Sequence, residues 1–187
     1  MPEEAIDLVY SWLGPHNIRL KITKPRRSKL GDFRVKGKQQ PAIISVNGNL
    51  NPFSFLITLT HEIAHLKDFS ERKTLRDAHG SNWKRIYSNL LAEVIETGAF
   101  PNELHPALRK HINNPKAASC SDATLLDALR QYDVEPKSRL KELPLGAQFL
   151  LSNGMRSSWK SARRIFRLNC SSAIMVSERF RFCEAIT

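Results

Sequence analysis

Residues 51–66 read NPFSFLITLTHEIAHL and combine a helix start with a histidine pair. Asn51 is a favoured N-cap residue, and Pro52 suits the first position of a helix. The apolar side chains that follow recur at helical spacing, at Phe55, Leu56, Leu59, Ile63 and Leu66. This pattern predicts an amphipathic α-helix over about residues 52–69.

The motif His61-Glu62-Ile63-Ala64-His65 lies inside this helix. Residues four apart share one helix face, so both imidazoles can reach one metal ion while Glu62 stands beside the water that such an ion binds. A catalytic zinc ion takes three protein ligands and one water, whose pKa it lowers from about 16 to about 7. The motif therefore predicts a zinc-dependent hydrolase. Hydrogen-bonded histidines on an ordinary helix face are the alternative explanation.

A third ligand is expected after the helix, where the chain can turn back over the metal. His79 is the favoured candidate, because it follows a polar segment and precedes Gly80-Ser81-Asn82, which is typical of a turn and a helix start. Asp77 and Glu93 compete with it, since zinc also accepts carboxylate ligands.

These motifs together resemble the SprT-like metalloprotease family. The resemblance consists of the histidine motif at 61–65, a short polar insert and the sequence His79-Gly80-Ser81-Asn82-Trp83. In that family, the segments equivalent to 18–23, 31–33 and 43–47 form a small sheet that leads into the metal-binding helix. About half of the chain is covered.

The resemblance, over about residues 5–97, implies an α+β fold with a zincin-like domain of helices and a small three-stranded sheet. It implies that His61, His65 and His79 bind Zn²⁺ and that Glu62 is the general base of a zinc metalloendopeptidase. The family contains DNA-associated proteases, so DNA-associated proteins are the implied substrates. Two alternatives stay open: a DNA-binding or regulatory protein with a structural or inactive zinc site, and a hydrolase of something other than protein.

The C-terminal part departs from this family, many members of which end in a zinc ribbon with paired Cys-x-x-Cys motifs. Cys120, Cys170 and Cys183 are too far apart to form such a pair. We therefore expect a SprT-like domain over residues 1–135. Residues 136–187 are expected to form a basic, β-rich subdomain, similar to a zinc ribbon that has lost its metal.

Periodicity and turn residues predict the remaining elements. Further helices are expected at about 3–13, at 81–96 with Gly98 as the stop, and from Ser121 or Asp122 to about Tyr132. Strands are expected at 18–23, around 31–33 and at 43–47, then at 147–151, 163–168, 173–176 and 179–185. After Pro101, the stretches His105-Pro106, Asn113-Asn114-Pro115 and 116–121 read as loop or short helical turns. The other histidines, His16, His105 and His111, are expected to be ordinary surface residues.

Positive charge is concentrated in two blocks of this chain, whose net charge is +11. Residues 19–38 contain nine Lys or Arg and one acid, and residues 137–187 contain ten against three. Basic side chains interleaved with aromatic ones suit phosphate contact and base stacking, although a solvated basic face is the alternative. We predict binding to single-stranded or distorted DNA. The candidate contacts are Arg26, Arg27, Lys29, Arg163, Arg164 and Arg167.

Composition favours a soluble intracellular protein. The chain has 187 residues, of which 41% are hydrophobic, and no apolar run approaches the ~20 residues needed to span a bilayer. Its first residues are acidic where a signal peptide is basic. We therefore expect a cytoplasmic protein without a membrane partner.

Overall fold

The computed structural model describes residues 1–26, 28–37, 40–74, 76–117, 122–134, 144, 146–150 and 156–158. The chain divides into two compact units, Met1–Val134 and Glu135–Thr187. In its described residues, the first unit has five α-helices and a three-stranded sheet, so the predicted α+β class is confirmed. None of the described helices combines the length and the apolar character that a membrane span requires.

The elements of the first unit follow the predicted order. They are α1 (Ile6–Leu13), β1 (Ile18–Thr23), β2 (Gly31–Arg34), β3 (Ala42–Asn47), α2 (Pro52–Arg72), α3 (Ser81–Glu96), α4 (His105–Asn113) and α5 (Ala123–Leu129). Short 3₁₀ turns flank them at Glu3–Ala5, Asn102–Leu104 and Arg130–Tyr132. The bounds of β1 and α3 agree with the sequence prediction to the residue.

The sheet has β3 at its centre, with β1 parallel on one side and β2 antiparallel on the other. Ile44 and Val46 of β3 are buried on the face that packs against α2. Because neighbouring residues in register share a face, Phe33 of β2, paired with Ile44, lies on the same side, where its ring contacts Phe69 of α2. The strand β2 therefore forms an edge of the sheet beside α2.

Helix α2 starts where the sequence predicts and ends three residues later. The Asn51 side chain accepts a hydrogen bond from the Ser54 amide (2.8 Å), which confirms it as the N-cap. Lys73 closes the helix in the left-handed conformation. Much of α2 is buried, and the hydroxyls of Thr58 and Thr60 donate to carbonyls one turn earlier, which satisfies them inside the core.

The prediction of loop or short helical turns is wrong for His105-Pro106 and for Asn113, because α4 covers residues 105–113, whereas residues 114–117 are not helical. Proline at position 106 fits the first turn of a helix, where its missing amide hydrogen has no intrahelical partner to lose. Ala107, Leu108 and His111 share the buried face of this helix. His111 is only 1% exposed, so its assignment to the surface is also wrong.

The second unit is described over two short strands, β4 (Gln148–Leu150) and β5 (Arg156–Ser158), which pair antiparallel. The strand β4 lies within the strand predicted at 147–151, whereas β5 was not predicted. The strands predicted from residue 163 onward lie outside the described residues, as do the three cysteines. The ribbon-like character of this unit stays a prediction.

Replacing Asn51 with alanine should lower the free energy of unfolding by about 1–3 kcal/mol, as measured by urea denaturation. Besides capping α2, the Asn51 amide donates to the Leu129 carbonyl (3.0 Å) and to Asp133 Oδ1 (2.6 Å), so the change leaves one buried and one half-buried acceptor without this donor. The control is Ser11→Ala, which removes one exposed hydroxyl. Equal effects of the two changes would contradict the role given to Asn51.

Candidate metal centre

Three histidines meet at the junction of α2 and α3. His61 and His65 lie one turn apart on α2, and His79 lies in the loop that leads into α3. The Nε2 atom of His61 is 3.1 Å from Nε2 of His65 and 3.3 Å from Nε2 of His79. One ligand atom from each of the three falls within 4.8 Å of the others. The structure thus brings the predicted pair together with the favoured third residue.

This geometry suits a tetrahedral metal site. Zinc binds histidine nitrogen at about 2.0–2.1 Å, which places two ligand atoms of a tetrahedron about 3.3–3.4 Å apart. The two short nitrogen–nitrogen separations at His61 agree with that spacing. A hydrogen bond between two imidazoles would explain one of these short nitrogen–nitrogen distances. The convergence of three ring nitrogens is the arrangement that a shared cation would require. These residues can therefore hold a metal ion.

The electrostatics of the site favour the neutral form of each imidazole, which is the form that binds metal. Burial lowers the pKa of His61 well below its ordinary value, and His65 and His79 lower it further. Burial and the neighbouring His79 lower the pKa of His65 to about 4, and burial also lowers the pKa of His79. All three are ready to act as ligands near neutral pH.

An aromatic layer from α3 fixes the orientation of the imidazoles. The Trp83 ring stacks on His65 with centroids 5.3 Å apart and meets His61 and His79 edge-on, each at 4.7 Å. Tyr87, one turn later, stacks on Trp83 at 4.9 Å. Both aromatic side chains are completely buried. The ligand rings are therefore held by packing as well as by the helix that carries two of them.

Glu62 lies beneath the edge strand β2. A β-carbon added to Gly31 would overlap Glu62 Oε1 and would lie 2.8 Å from Thr58 Cγ2, so only glycine lets the strand pass this close to α2. Glu62 is 6% exposed. Burial, together with the charge of Asp32, raises the pKa of Glu62 to about 8. The carboxyl group is thus held in a tight, weakly solvated position beside the histidines.

A cleft of about 300 Å³ opens over these groups. The lining residues are Gly31, Asp32, Phe33, His61, Glu62, His65, Ala78, His79 and Ala117. The cleft therefore joins an extended backbone edge, a set of metal-binding nitrogens and a buried carboxyl group.

The two acids that compete with His79 as third ligand have other surroundings. Glu93 accepts a hydrogen bond from Trp12 Nε1 (3.0 Å). The Asp77 carboxylate lies against Gly80, at the start of α3, where a β-carbon would overlap it. Neither acid belongs to the group of ligand atoms around His61.

The candidate nucleic-acid contacts that the structure describes, Arg26 and Lys29, have protein partners. Arg26 donates to Asn47 Oδ1 (2.8 Å) and Ser45 Oγ (3.0 Å) of β3, and also to the Leu30 and Ser45 carbonyls. Lys29 pairs with Asp32 at 2.6 Å. These interactions give both residues a structural role, and DNA binding through them stays a prediction. The other candidates, Arg27, Arg163, Arg164 and Arg167, lie outside the described residues.

Sequence reasoning missed a buried pair behind the aromatic layer. His111 Nδ1 lies 2.8 Å from Asp122 Oδ2, and the His111 ring meets Tyr87 edge-on at 5.7 Å. Burial, followed by the charges of Glu62 and Asp122, raises the pKa of the Tyr87 hydroxyl. The helical spacing of Ala107, Leu108 and His111 was the available signal that His111 faces the core. The pairing itself depends on how α4 packs against α5 and has no local signature.

Comparisons with protein-family models, with curated proteins and with solved structures found no match to this chain. The family resemblance drawn from the two histidine motifs therefore stays a prediction.

Replacing Glu62 with glutamine should stabilise the chelator-treated protein in a pH-dependent way. Below pH 4.5 the carboxyl is protonated in both the folded and the unfolded chain, so the two proteins should differ little. From pH 4.5 to about 8 the unfolded chain loses this proton while the folded chain keeps it, which lowers wild-type stability as pH rises. At pH 9 the glutamine variant should be more stable by an amount on the order of 4 kcal/mol.

The measurement is urea unfolding with a chelator present at pH 5 and pH 9. Glu71→Gln, an exposed change on the same helix, is the matched control and should show no such trend. A stability difference for Glu62→Gln that is equal at both pH values would contradict the buried, proton-holding state of Glu62.

Proposed function

We propose that this protein is a zinc metalloendopeptidase of the SprT-like, zincin-like class. The observation that carries the proposal is the convergence of His61, His65 and His79 beside the Glu62 carboxyl in one open cleft. Three nitrogen ligands leave a fourth position for water, which is the arrangement of catalytic rather than structural zinc. The buried carboxyl beside them is a further feature that a structural site does not need.

The edge strand supports a peptide as the substrate. The outer edge of β2 has no partner strand among the described residues, and three consecutive residues of β2 line the cleft. Extended peptides bind such edges by adding a strand, and their backbone amides supply the hydrogen bonds. A peptide bound along β2 would carry a backbone carbonyl past the histidines. This arrangement favours peptide-bond hydrolysis over the hydrolysis of other substrates.

The residues then have distinct roles in the reaction. His61, His65 and His79 would hold Zn²⁺, which supplies the Lewis acidity that makes bound water nucleophilic near neutral pH. The raised pKa of Glu62 belongs to the metal-free protein, and a cation held by the histidines would favour the carboxylate form. That carboxylate would accept a proton from the bound water and deliver it to the departing amine, as a general base and then a general acid. Gly31 and Thr58 confine the Glu62 side chain, and Trp83 confines the imidazoles. Positioning by packing reduces the reorganisation that the reaction requires.

The decisive experiment compares wild type with Glu62→Gln and His79→Ala. Zinc content is measured by mass spectrometry after exposure to limiting metal, and hydrolysis is followed on casein with and without single-stranded DNA. Glu62→Gln should retain zinc and lose at least about 100-fold in turnover, because the amide cannot accept the proton. His79→Ala should lose most of its zinc at limiting metal. Glu71→Gln, which alters an exposed carboxylate on the same helix, should behave as wild type.

Three results would each contradict a part of this proposal. Full activity in Glu62→Gln would show that Glu62 is not the general base. Zinc-loaded wild type that cleaves neither casein nor itself would favour the alternative, a DNA-binding or regulatory protein with an inactive zinc site. Full zinc occupancy in His79→Ala would exclude His79 from the ligand set.

A nucleic-acid partner is the second proposal, and it is supported by the outer face of the sheet. Register places Arg19 of β1, Ile43 of β3 and Arg34 of β2 in one row on the face opposite α2, and Lys21 lies in the neighbouring row. Arg19 and Lys21 are exposed, and the Arg34 side chain is 59% exposed. Asp32 offsets part of this charge. We propose that this face binds DNA phosphates, which would bring DNA-associated proteins to the cleft.

Reversing the charge of Arg19 and Lys21 to glutamate should weaken binding to single-stranded DNA. For every phosphate that the variant no longer neutralises, the slope of log affinity against log salt should fall in magnitude by about 0.7. The measurement is a fluorescence anisotropy titration at several salt concentrations. A variant with Arg163, Arg164 and Arg167 reversed tests the second basic block separately.

Lys84→Glu, an exposed reversal on α3, controls for net charge alone. If it weakens binding as much per charge as the sheet variant does, the sheet face is not the DNA-binding surface. If the protein does not bind single-stranded DNA even at low salt, neither basic block is a DNA-binding surface, and both are simply solvated.

A further inference from the structure

The third histidine lies on a loop that has little packing of its own. Residues 73–80 connect α2 to α3, and the described side chains of this loop are exposed or half-buried. The backbone turns through left-handed conformations at Lys73 and Asp77. A metal ligand on such a segment needs an anchor outside the loop, since a shift of about 1 Å is enough to impair a site.

Arg72, the last residue of α2, supplies hydrogen bonds to this loop. Its Nη1 donates to the Arg76 carbonyl (3.1 Å), and its Nη2 donates to the Asp77 carbonyl (3.4 Å). The Asp77 carbonyl also accepts the Gly80 amide (2.9 Å), so the backbone on both sides of His79 is tied to one point. The guanidinium group thus holds the turn from which His79 projects.

Asp68 in turn holds the guanidinium. Its carboxylate accepts Arg72 Nε (2.7 Å) and also Nη2, the two-pronged pairing for which arginine is suited. The same carboxylate accepts Asn82 Nδ2 from the first turn of α3 (2.8 Å). Asp68 is 3% exposed although it is charged, and charged residues are rarely buried without partners. One carboxylate therefore links α2, the loop and α3.

We propose that Asp68 and Arg72 are positioning residues that fix His79 as the third metal ligand. This inference rests on the proposed metal centre. His61 and His65 are set by the pitch of α2, whereas His79 depends on the backbone that the Asp68–Arg72 pair anchors. Neither Asp68 nor Arg72 contributes a ligand atom to the histidine group. Asp68 also acts on the neighbouring His65 through its charge, whereas Arg72→Lys keeps its charge, so the Arg72 variant isolates the effect on the position of His79.

The test is a zinc titration, by competition with a chromophoric chelator, on two variants of this Asp68–Arg72 clamp. Asp68→Asn removes the charge that holds the guanidinium. Arg72→Lys keeps the positive charge, but its ammonium has three donors at a single nitrogen and cannot reproduce the four hydrogen bonds that the guanidinium makes from three nitrogens. Each should weaken zinc affinity by about 10- to 100-fold, the usual effect of removing a residue that orients a metal ligand. If Asp68→Asn does not fold, Arg72→Lys carries the test, because Arg72 lies at the helix end.

Glu71→Gln is the matched control. Glu71 accepts a hydrogen bond from the same Asn82 side chain (2.9 Å) and pairs with Arg85, yet its described interactions do not involve the loop. This variant should bind zinc within about 3-fold of wild type. A comparable loss of affinity in Glu71→Gln would show that any change at this helix junction weakens the site, which would overturn the proposal.

The same substitutions are then made in a His79→Ala background. If the clamp acts through His79, Arg72→Lys should change zinc affinity there by less than about 3-fold, since the position that it controls no longer holds a ligand. Asp68→Asn should lose much less affinity there than with His79 present, and what remains is the effect of its charge on His65. Cobalt spectra give a second readout: each clamp variant should shift the visible absorption towards that of His79→Ala. An equal loss of affinity with and without His79, or no loss in either variant, would overturn the proposal.

The zinc titrations measure no hydrolysis, so their results do not depend on whether the protein is a peptidase. A protein that binds zinc as described but cleaves nothing would refute the enzyme and leave the clamp in place. Wild-type affinity in His79→Ala would refute both the three-histidine centre and the clamp.

Discussion

The burial of α2 between the sheet and α3 is the constraint on which the rest of the first unit depends. One face of this helix packs against Ile44 and Val46 of the sheet, and its histidines pack against the rings of Trp83 and Tyr87. A helix buried on both sides must satisfy its polar groups internally. The threonines do so through the backbone, Asp68 through Arg72 and Asn82, and the imidazoles through the arrangement that suits a cation.

Core and candidate site are consequently built from the same helix. Ile63 lies between His61 and His65 in the sequence and is completely buried, so the hydrophobic register of α2 also sets the direction of the ligands. The edge strand β2 also contributes both to the core and to the candidate site. Phe33 packs on α2, and Gly31, two residues earlier, leaves space for Glu62. Folding of the core therefore also sets the positions of His61, His65 and Glu62.

Local signals account for what the sequence predicts well. Asn51 and Pro52 define the start of α2, and the apolar stripe that ends before Gly98 defines α3, because caps and periodicity act within a few residues. The i, i+4 histidine pair follows from the same helical geometry. The charge blocks predict a basic surface, but they do not show that the Arg26 side chain is hydrogen-bonded to Asn47 and Ser45 of β3.

Tertiary interactions account for what the sequence leaves open. The burial of His111 depends on Asp122, eleven residues later, and the anchoring of the loop by Arg72 depends on backbone carbonyls, which carry no sequence signature.

Two of the three candidate ligands belong to one helix, so their separation is as stiff as the helix itself. The third lies on a loop whose position depends on the Asp68–Arg72 pair. If a cation binds here, a difference in its radius would be accommodated by the position of His79 and not by the α2 pair, so the loop is where a preference among metals would be set.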